Sequence, residues 1–306
     1  MNEEHYSGIG KCFALPIVLG VYGLFIILSS AIAYGEVTQN GLRWVGDDLV
    51  GPVRSLREEE VQLRKEGTDW IEGKPARVVI STFDKDRTFR ETRQLTPLLA
   101  EQSARNYLCF VRGERNRILQ SFVCDAERHL IEGARTVYRY NLEGNLIEER
   151  TERICGQTSP LVTRSVYEYD SRGQKSTSRL YDSNGKVATI TTFHPNREKA
   201  LLTIEVSTAD GDFQAKEVHT LDPLGRATEV VSFDHEGKVL SRTRLRYDEQ
   251  GKWIERIFEG QGVDVREMDS YEYDKYGNWV KKSSRKITPT GEQRSIVRRV
   301  IDYFPS

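Results

Sequence analysis

Six aspartates, Asp170, Asp182, Asp222, Asp234, Asp248 and Asp274, each stand three residues before a glycine: Gly173, Gly185, Gly225, Gly237, Gly251 and Gly277. Carboxylates this regular invite three chemistries. They could ligate a metal, work as acid and base in a hydrolysis, or brace their own backbone. A calcium site needs several oxygen ligands converging in one loop. Only the pair in "DGD", Asp210 and Asp212, comes near that, and it is a faint candidate. A hydrolase needs two carboxylates about 5–10 Å apart in a groove, which a curled sheet would have to gather on its concave side. The third chemistry needs nothing beyond the motif. Aspartate at the first position of a turn accepts a hydrogen bond from a backbone N–H two residues on. Two variable residues form a type I turn, and glycine supplies the left-handed backbone that follows it. Read this way, the aspartates and glycines are structural turn residues.

Other reactive groups are sparse. The five histidines, His5, His129, His194, His219 and His235, include no HExxH and no close pair. His219 stands where the repeat writes tyrosine, three residues before Asp222, and reads as a sheet-facing substitution. No nucleophile elbow or phosphate loop occurs, and "GQG" at Gly260 to Gly262 precedes a strand-like segment rather than a helix. No metal or cofactor is expected. Beyond Cys12, the cysteines Cys109, Cys124 and Cys155 match no zinc spacing. The favoured reading is three small buried side chains. Cys109 and Cys124 are the nearest pair should a bridge form. The 45 Lys and Arg nearly balance the 46 Asp and Glu, giving a net charge of −1 and no general attraction to nucleic acid.

The elements that must carry these residues follow from the turn. With substitutions the unit appears as "YNLEG", "YDSRG", "YDSNG", "LDPLG", "FDHEG", "YDEQG" and "YDKYG", ending at Gly144, Gly173, Gly185, Gly225, Gly237, Gly251 and Gly277. Weaker copies end at Arg197, Gly211, Gly262 and Gly291. "FDKDR" and "CDAER", ending at Arg87 and Arg128, look like eroded ones. A type I turn plus a left-handed glycine is a three-residue hairpin connection. It sets the residue before aspartate opposite the second residue after glycine. The pairs are Tyr140 with Leu146, Tyr169 with Lys175, Tyr181 with Val187, Leu221 with Ala227, Phe233 with Val239, Tyr247 with Trp253, and Tyr273 with Trp279. All but Tyr169 with Lys175 are apolar on both sides. These aromatics are expected to pack one face of the sheet. A ligand-stacking row through Trp253 and Trp279 is the sharper alternative. Between turns, segments such as "KVLSRTRLRY" (238–247) alternate apolar with charged residues, giving one dry and one wet face.

The predicted fold is all-β: a long antiparallel up-and-down meander of roughly fifteen strands, curled or partly closed, preceded by one N-terminal hydrophobic helix. A β-propeller ranks lower because no inter-blade crossover breaks the spacing. Residues 51–306 form the repeat domain, clearest over 137–303, and 36–50 a linker. The segments 51–64 and 76–83 are predicted to pair as a hairpin, and 95–104 to form a short helix. "REEE" (57–60) reads as a solvated strand face, and "KKSSRK" (281–286) with "RRV" (298–300) as a basic wet face. Residues 1–35 hold 23 consecutive uncharged positions, Cys12 to Tyr34, enough to cross a bilayer as a helix. Two fates fit this run: an uncleaved membrane anchor, or a signal removed after Ala31-Ile32-Ala33. Either places the body outside the cytoplasm.

"YEYDSRGQ", "YDEQGKW" and "YEYDKYGNW" resemble the YD repeats of RHS-type proteins, over roughly residues 137–303. The resemblance implies an extended antiparallel repeat sheet and an extracytoplasmic habit. In the largest relatives such repeats form a hollow shell around a toxin domain, and carbohydrate binding has been proposed for some. This chain has too few repeats for a large shell and ends at "VIDYFPS", so a toxin-delivery role is not expected. The function anticipated is a non-enzymatic exported scaffold or binding protein for protein or glycan. The alternatives are a secreted carboxylate-dependent hydrolase and an immunity or accessory protein of a toxin system.

Overall fold

The computed structural model describes residues 49–85, 89–95, 104–114, 117–154, 160–260 and 262–305. The anticipated N-terminal helix, nearly all of the linker, Arg87 and Cys155 lie outside them. The strands are β1 (Val53–Glu66), β2 (Asp69–Phe83), β3 (Phe89–Leu95), β4 (Ala104–Arg112), β5 (Ile118–Cys124) and β6 (Leu130–Tyr140). They continue with β7 (Leu146–Ile154), β8 (Leu161–Tyr169), β9 (Lys175–Tyr181), β10 (Val187–Asn196), β11 (Leu201–Ser207) and β12 (Phe213–Leu221). The last six are β13 (Ala227–Phe233), β14 (Val239–Tyr247), β15 (Trp253–Gly260), β16 (Val263–Tyr273), β17 (Trp279–Thr288) and β18 (Gly291–Tyr303). The described residues contain no α-helix. Of the helix expected over 95–104, Leu95 closes β3 and Ala104 opens β4; the residues between lie outside the described set.

All eighteen strands belong to one antiparallel sheet, and each pairs with its neighbours in sequence. Unbroken neighbour pairing is a meander, without the interruptions that separate propeller blades. The sheet has three strands more than the rough count from the sequence, because five strands lie before Asp125, where the turn marks are eroded. The long hairpin of β1 and β2 forms, but its reversal is at Gly67 and Thr68; most of "EGTDWIEGK" is strand.

The first and last strands also pair. β1 hydrogen-bonds to β2 on one side and to β18 on the other, with Leu56 opposite Ile301, Glu58 opposite Arg299 and Glu59 opposite Arg298. Each of the described strands thus has a hydrogen-bonded partner strand on both sides, with β1 taking β18 as well as β2. "REEE" and "RRV", read separately as wet faces, are the two sides of this seam. Arg299 Nε donates to Glu58 Oε2 at 2.7 Å, and Arg298 reaches Glu72 at 2.6 Å.

The turns have the geometry that their spelling demands. In "FDHEG", Gly237 N donates to Asp234 O at 3.1 Å, Asp234 N donates to Lys238 O at 3.0 Å, and Gly237 has φ +78°. All seven predicted cross-strand pairs are in register, each beside a one-residue bulge. Substituted copies keep the geometry. Asn141 and Thr208 accept through side-chain oxygens where aspartate would. In "CDAER", Arg128 itself takes the left-handed conformation at φ +71°.

Alternation along the strands sorts the side chains onto two faces. On β14 one face carries Ser241, Thr243, Leu245 and Tyr247, and the other Arg242, Arg244 and Arg246. Followed through the registers, the tyrosine face holds buried Leu56, Tyr138, Ile204, Val206, Val230 and Leu245. The arginine face is a lattice of ion pairs, including Arg242–Glu229 at 2.8 Å, Arg244–Glu259 at 2.9 Å and Arg246–Glu255 at 3.0 Å. The tyrosine face is less dry than the sequence pattern implies, since it also buries Glu217, His219 and Asp269. A small apolar core of Leu49, Val53 and Leu56, with Phe83, Ile301 and Tyr303 against it, sits where the start of β1 meets the end of β18.

Candidate ligand-binding face

The turn aspartates are spent on their own turns. Asp170 Oδ1 accepts from the N–H groups of Arg172 and Gln174 at 2.9 and 2.8 Å. Asp182, Asp222, Asp234 and Asp274 repeat the pattern within 3.0 Å, and Asp248 accepts from Lys252 N at 2.7 Å. The Gln174 and Lys186 backbone N–H groups hold the Asp170 and Asp182 carboxyls below their ordinary range. Burial works against this at Asp274, where donation from Tyr303, Asn278 and Tyr276 outweighs it. At "DGD", Asp210 and Asp212 are exposed, and the described residues contain no cluster able to hold a metal.

Several tyrosines at these turns do more than pack. Tyr140, Tyr169 and Tyr247 donate through their hydroxyls to the carbonyls of Ile118, Leu146 and Ala227, each near the preceding hairpin on the same rim. Tyr273 and Tyr303 donate instead to Asp248 and Asp274 of the preceding turns. The pairs Tyr181–Val187 and Phe233–Val239 belong to hairpins at the opposite rim and lie on the arginine face, so the aromatics do not form one row.

The first tyrosine of each "YEYD" builds something else. Tyr167 on β8 donates to Glu149 Oε2 on β7 at 3.4 Å, and Lys175 on β9 lies with Nζ 4.2 Å from the centre of the Tyr167 ring. This explains why Tyr169 with Lys175 breaks the apolar pairing: the lysine is drawn over the neighbouring tyrosine. Burial lowers the Lys175 ammonium and raises the Glu149 carboxyl, and burial followed by the Glu149 charge pushes the Tyr167 hydroxyl up. The same grouping recurs a hundred residues later. Tyr271 donates to Asp269 Oδ2 at 3.2 Å, and Lys282 Nζ is 2.6 Å from the same oxygen. The Tyr271 hydroxyl is pushed up by burial and by the Asp269 carboxylate.

At this second cluster the structure brings Trp253 and Trp279 to one face, on strands separated by β16. Trp279 meets Tyr271 edge-on at 6.1 Å, and Tyr271 lies 6.2 Å from Tyr273. Cations lie over both tryptophans: Arg299 is 3.5 Å from the Trp279 ring centre and Lys282 4.9 Å from that of Trp253. The cluster is therefore half-buried aromatic surface interleaved with one carboxylate and two cations. Sequence reasoning singled out the tryptophans and missed Glu149, Asp269, Lys175 and Lys282. The one legible signal was a lysine at position 175, where the other hairpins place an apolar residue.

Cys109 and Cys124 form a disulfide, with Cα atoms 6.0 Å apart. This corrects the expectation of three small unbonded residues. The two lie on adjacent strands and the same face, one ladder step out of direct register (Tyr107 opposes Cys124, and Cys109 opposes Phe122).

No family model matches the chain, and no curated protein matches it. Among solved structures, it is similar to a porin-like protein from Bacteroides uniformis, at 13% identity and a TM-score of 0.43, covering 83% of this chain and 99% of that one. A porin-like protein from Bacteroides vulgatus aligns at 14% identity and a TM-score of 0.35, over 71% of this chain and 98% of the other. A Bacteroides fragilis protein of unknown function aligns at 13% identity and a TM-score of 0.25, over 43% of this chain and 94% of its own.

Proposed function

We propose that this chain is an exported, non-enzymatic binding protein, an RHS-like repeat sheet that closes as a barrel and recognises a glycan on its tyrosine face. The observation that carries the reading is the cluster of Trp253, Tyr271, Tyr273 and Trp279 with Asp269 and Lys282 among them. Binding sites join apolar and aromatic surface to a few placed polar groups. Here the rings offer planes to the C–H faces of a sugar, while carboxylate and ammonium offer an acceptor and donors to its hydroxyls. Closure is supported by the β1–β18 seam. We place the more buried tyrosine face inside, where a barrel of this strand number leaves an aqueous lumen. Its mixture of tyrosine, serine, threonine and charge suits a wet interior. The arginine face, outside, lacks the apolar band of a membrane-spanning barrel and so stands in water. The Cys109–Cys124 disulfide supports an oxidising, extracytoplasmic compartment. Residues 12–34 retain the protein at the membrane, and amino-terminal sequencing of the mature chain tests that part.

The binding test is a titration of the purified chain with a panel of hexose and N-acetylhexosamine oligosaccharides, followed by tryptophan fluorescence and calorimetry. At least one should perturb the emission, and Trp253→Ala should weaken it tenfold or more, about 1.4 kcal/mol. Arg242→Ala on the opposite face should leave binding unchanged. Silence across the panel, or equal binding by Trp253→Ala, overturns the glycan reading; cleaved oligosaccharide in the mixture favours the hydrolase instead.

A further inference from the structure

In an antiparallel meander alternate hairpins lie at opposite ends, so the turns after even-numbered strands share one rim with the start of β1 and the end of β18. That rim differs from the other at its tips. The turns after β6, β12 and β16 present Leu142, Leu224 and Tyr276, at 96%, 77% and 40% exposure. Val50, beside them, is 54% exposed. At the opposite rim the described turn tips carry Thr68, Ala126 and Glu127, Ser183 and Asn184, Ala209 and Asp210, His235 and Glu236, and Pro289 and Thr290, none of them a large apolar side chain. The exposed large apolar residues near that rim, Ile71, Leu130, Ile131, Phe213, Val239 and Val263, lie within strands and not at the projecting tips.

The chain leaves the ring at the apolar-tipped rim and is held there. Asn278, 1% exposed, clamps the backbone of Val50 on both sides: Val50 N donates to Oδ1 at 2.6 Å, and Nδ2 donates to Val50 O at 2.9 Å. Phe304 N donates to Pro52 O at 2.7 Å, tying the carboxyl end to the same place. From Tyr34, the end of the uncharged run, to Leu49 is fifteen residues, which reach at most about 50 Å when fully extended. Resting on the reading that the run stays in the bilayer, this rim is where the membrane tether attaches to the domain.

We propose that this rim docks on the bilayer interface, with Leu142, Leu224 and Tyr276 inserted, so that the ring stands end-on to the membrane that holds residues 12–34. Tyrosine favours the headgroup level, where one end of its ring is apolar and the other wet. Exposed Arg172, Arg197, Lys199 and Lys275 on the same rim reach phosphates with their heads while their stems stay with the apolar tips. Glu143, Glu198 and Glu249 alternate with them, so apolar insertion, and not net charge, supplies the attraction.

The test uses the full chain reconstituted in phosphatidylcholine vesicles, in a Cys12→Ser, Cys155→Ser background that leaves the disulfide intact. Single sites Leu142→Cys and Leu224→Cys on the near rim, and Asn184→Cys and His235→Cys on the far rim, carry an environment-sensitive fluorophore. Near-rim labels should shift to the blue and be quenched by spin-labelled lipid, while far-rim labels keep water-like emission. Leu142→Asp with a label at position 224 should lose much of that quenching. Equal emission at the two rims, quenching of the far rim alone, or a mature protein lacking residues 12–34 overturns the proposal. Oligosaccharide titration of the same preparation reports separately on the glycan reading.

Discussion

Gly237 and Gly260 separate the two reasons a sheet can demand glycine. At Gly237 the backbone is left-handed, φ +78°, and an added Cβ would meet nothing within 4 Å. Any cost of Gly237→Ala is therefore conformational. Forcing an L side chain into this region costs about 1–2 kcal/mol. The narrower unfolded ensemble of alanine returns about 0.4–1 kcal/mol. The net loss should be about 0–1.6 kcal/mol. For a chain of this size that lowers Tm by at most roughly 6 °C, at about 2–4 °C per kcal/mol. Gly260 has an ordinary φ, but its added Cβ would lie 2.6 Å from Leu240 O and 2.7 Å from Ser241 Cβ. Gly260→Ala should therefore cost by overpacking, about 1–3 kcal/mol. Asparagine distinguishes the two, because it tolerates the left-handed region better than other side chains. Gly237→Asn should recover much of the loss seen with alanine, and Gly260→Asn should be at least as damaging as Gly260→Ala. Urea unfolding of the oxidised protein, followed by tryptophan emission, measures all four. A stabilising Gly237→Ala, or an asparagine no better than alanine at 237, would refute the claim that a left-handed turn is what this glycine provides.

Removing the disulfide with Cys109→Ala and Cys124→Ala opens a crosslink of sequence separation 15 and should cost about 3 kcal/mol by loop entropy, read as the difference in unfolding midpoint between the variant and the oxidised chain. Tyr247→Phe removes the hydroxyl that donates to Ala227 O at 2.8 Å and should cost about 0.5–1.5 kcal/mol, whereas Tyr276→Phe, at an exposed tip, should cost much less in the same melt. Acid should destabilise the turns in a defined direction. Asp170, Asp182, Asp222 and Asp274 have folded values below their ordinary ones. Their contribution is complete above the unfolded value, about 3.9, and fades as pH falls through the lower folded values. The slope of Tm against pH below about pH 4 should flatten when two of these aspartates are changed to asparagine.

The hairpins were legible because their physics is local. Aspartate, two variable residues and glycine specify hydrogen bonds, a φ sign and a cross-strand partner within seven residues, and all seven predicted pairs stand in register. Arg128 shows the limit of that reading, since its turn persists with a left-handed arginine where the motif asks for glycine. The seam was illegible for the opposite reason. Its partners are more than 220 residues apart, and nothing in "REEE" alone points to "RRV". Their complementary charges, Glu58 against Arg299 and Glu59 against Arg298, were the signal, visible only once the two segments are considered together. The two carboxylate–tyrosine–lysine clusters were hidden similarly. Glu149, Tyr167 and Lys175 come from three strands, and their meeting depends on register summed over two hairpins. The disulfide required knowing that β4 and β5 are adjacent, which a spacing of fifteen permits but does not dictate.

How such a sheet holds together follows from where its apolar residues are. Among the described residues the one compact apolar core joins the start of β1 to the end of β18, and elsewhere both faces mix polar with apolar side chains. A flat sheet of this kind would have little to bury and two long edges to defend. Pairing β1 with β18 gives partners to the two strands that would otherwise be the outermost. The hydroxyls of Tyr140, Tyr169, Tyr247 and Tyr273 then link four of the hairpins to the preceding one on that rim, so that these repeats are joined by side chains as well as by the ladder. Individual ion pairs on the arginine face contribute little, about 0–1 kcal/mol each. Their value here lies in connectivity: Glu255 on β15 receives Arg246 from β14 and Arg266 from β16, and Glu148 on β7 receives Arg139 from β6 and Arg164 from β8, so each of these carboxylates ties the strands on its two flanks. Stability spread this evenly leaves individual positions on the tyrosine face free to carry groups that a dense core would exclude. Lys175 and Lys282 stand over aromatic rings there because the wall around them does not depend on those sites being apolar.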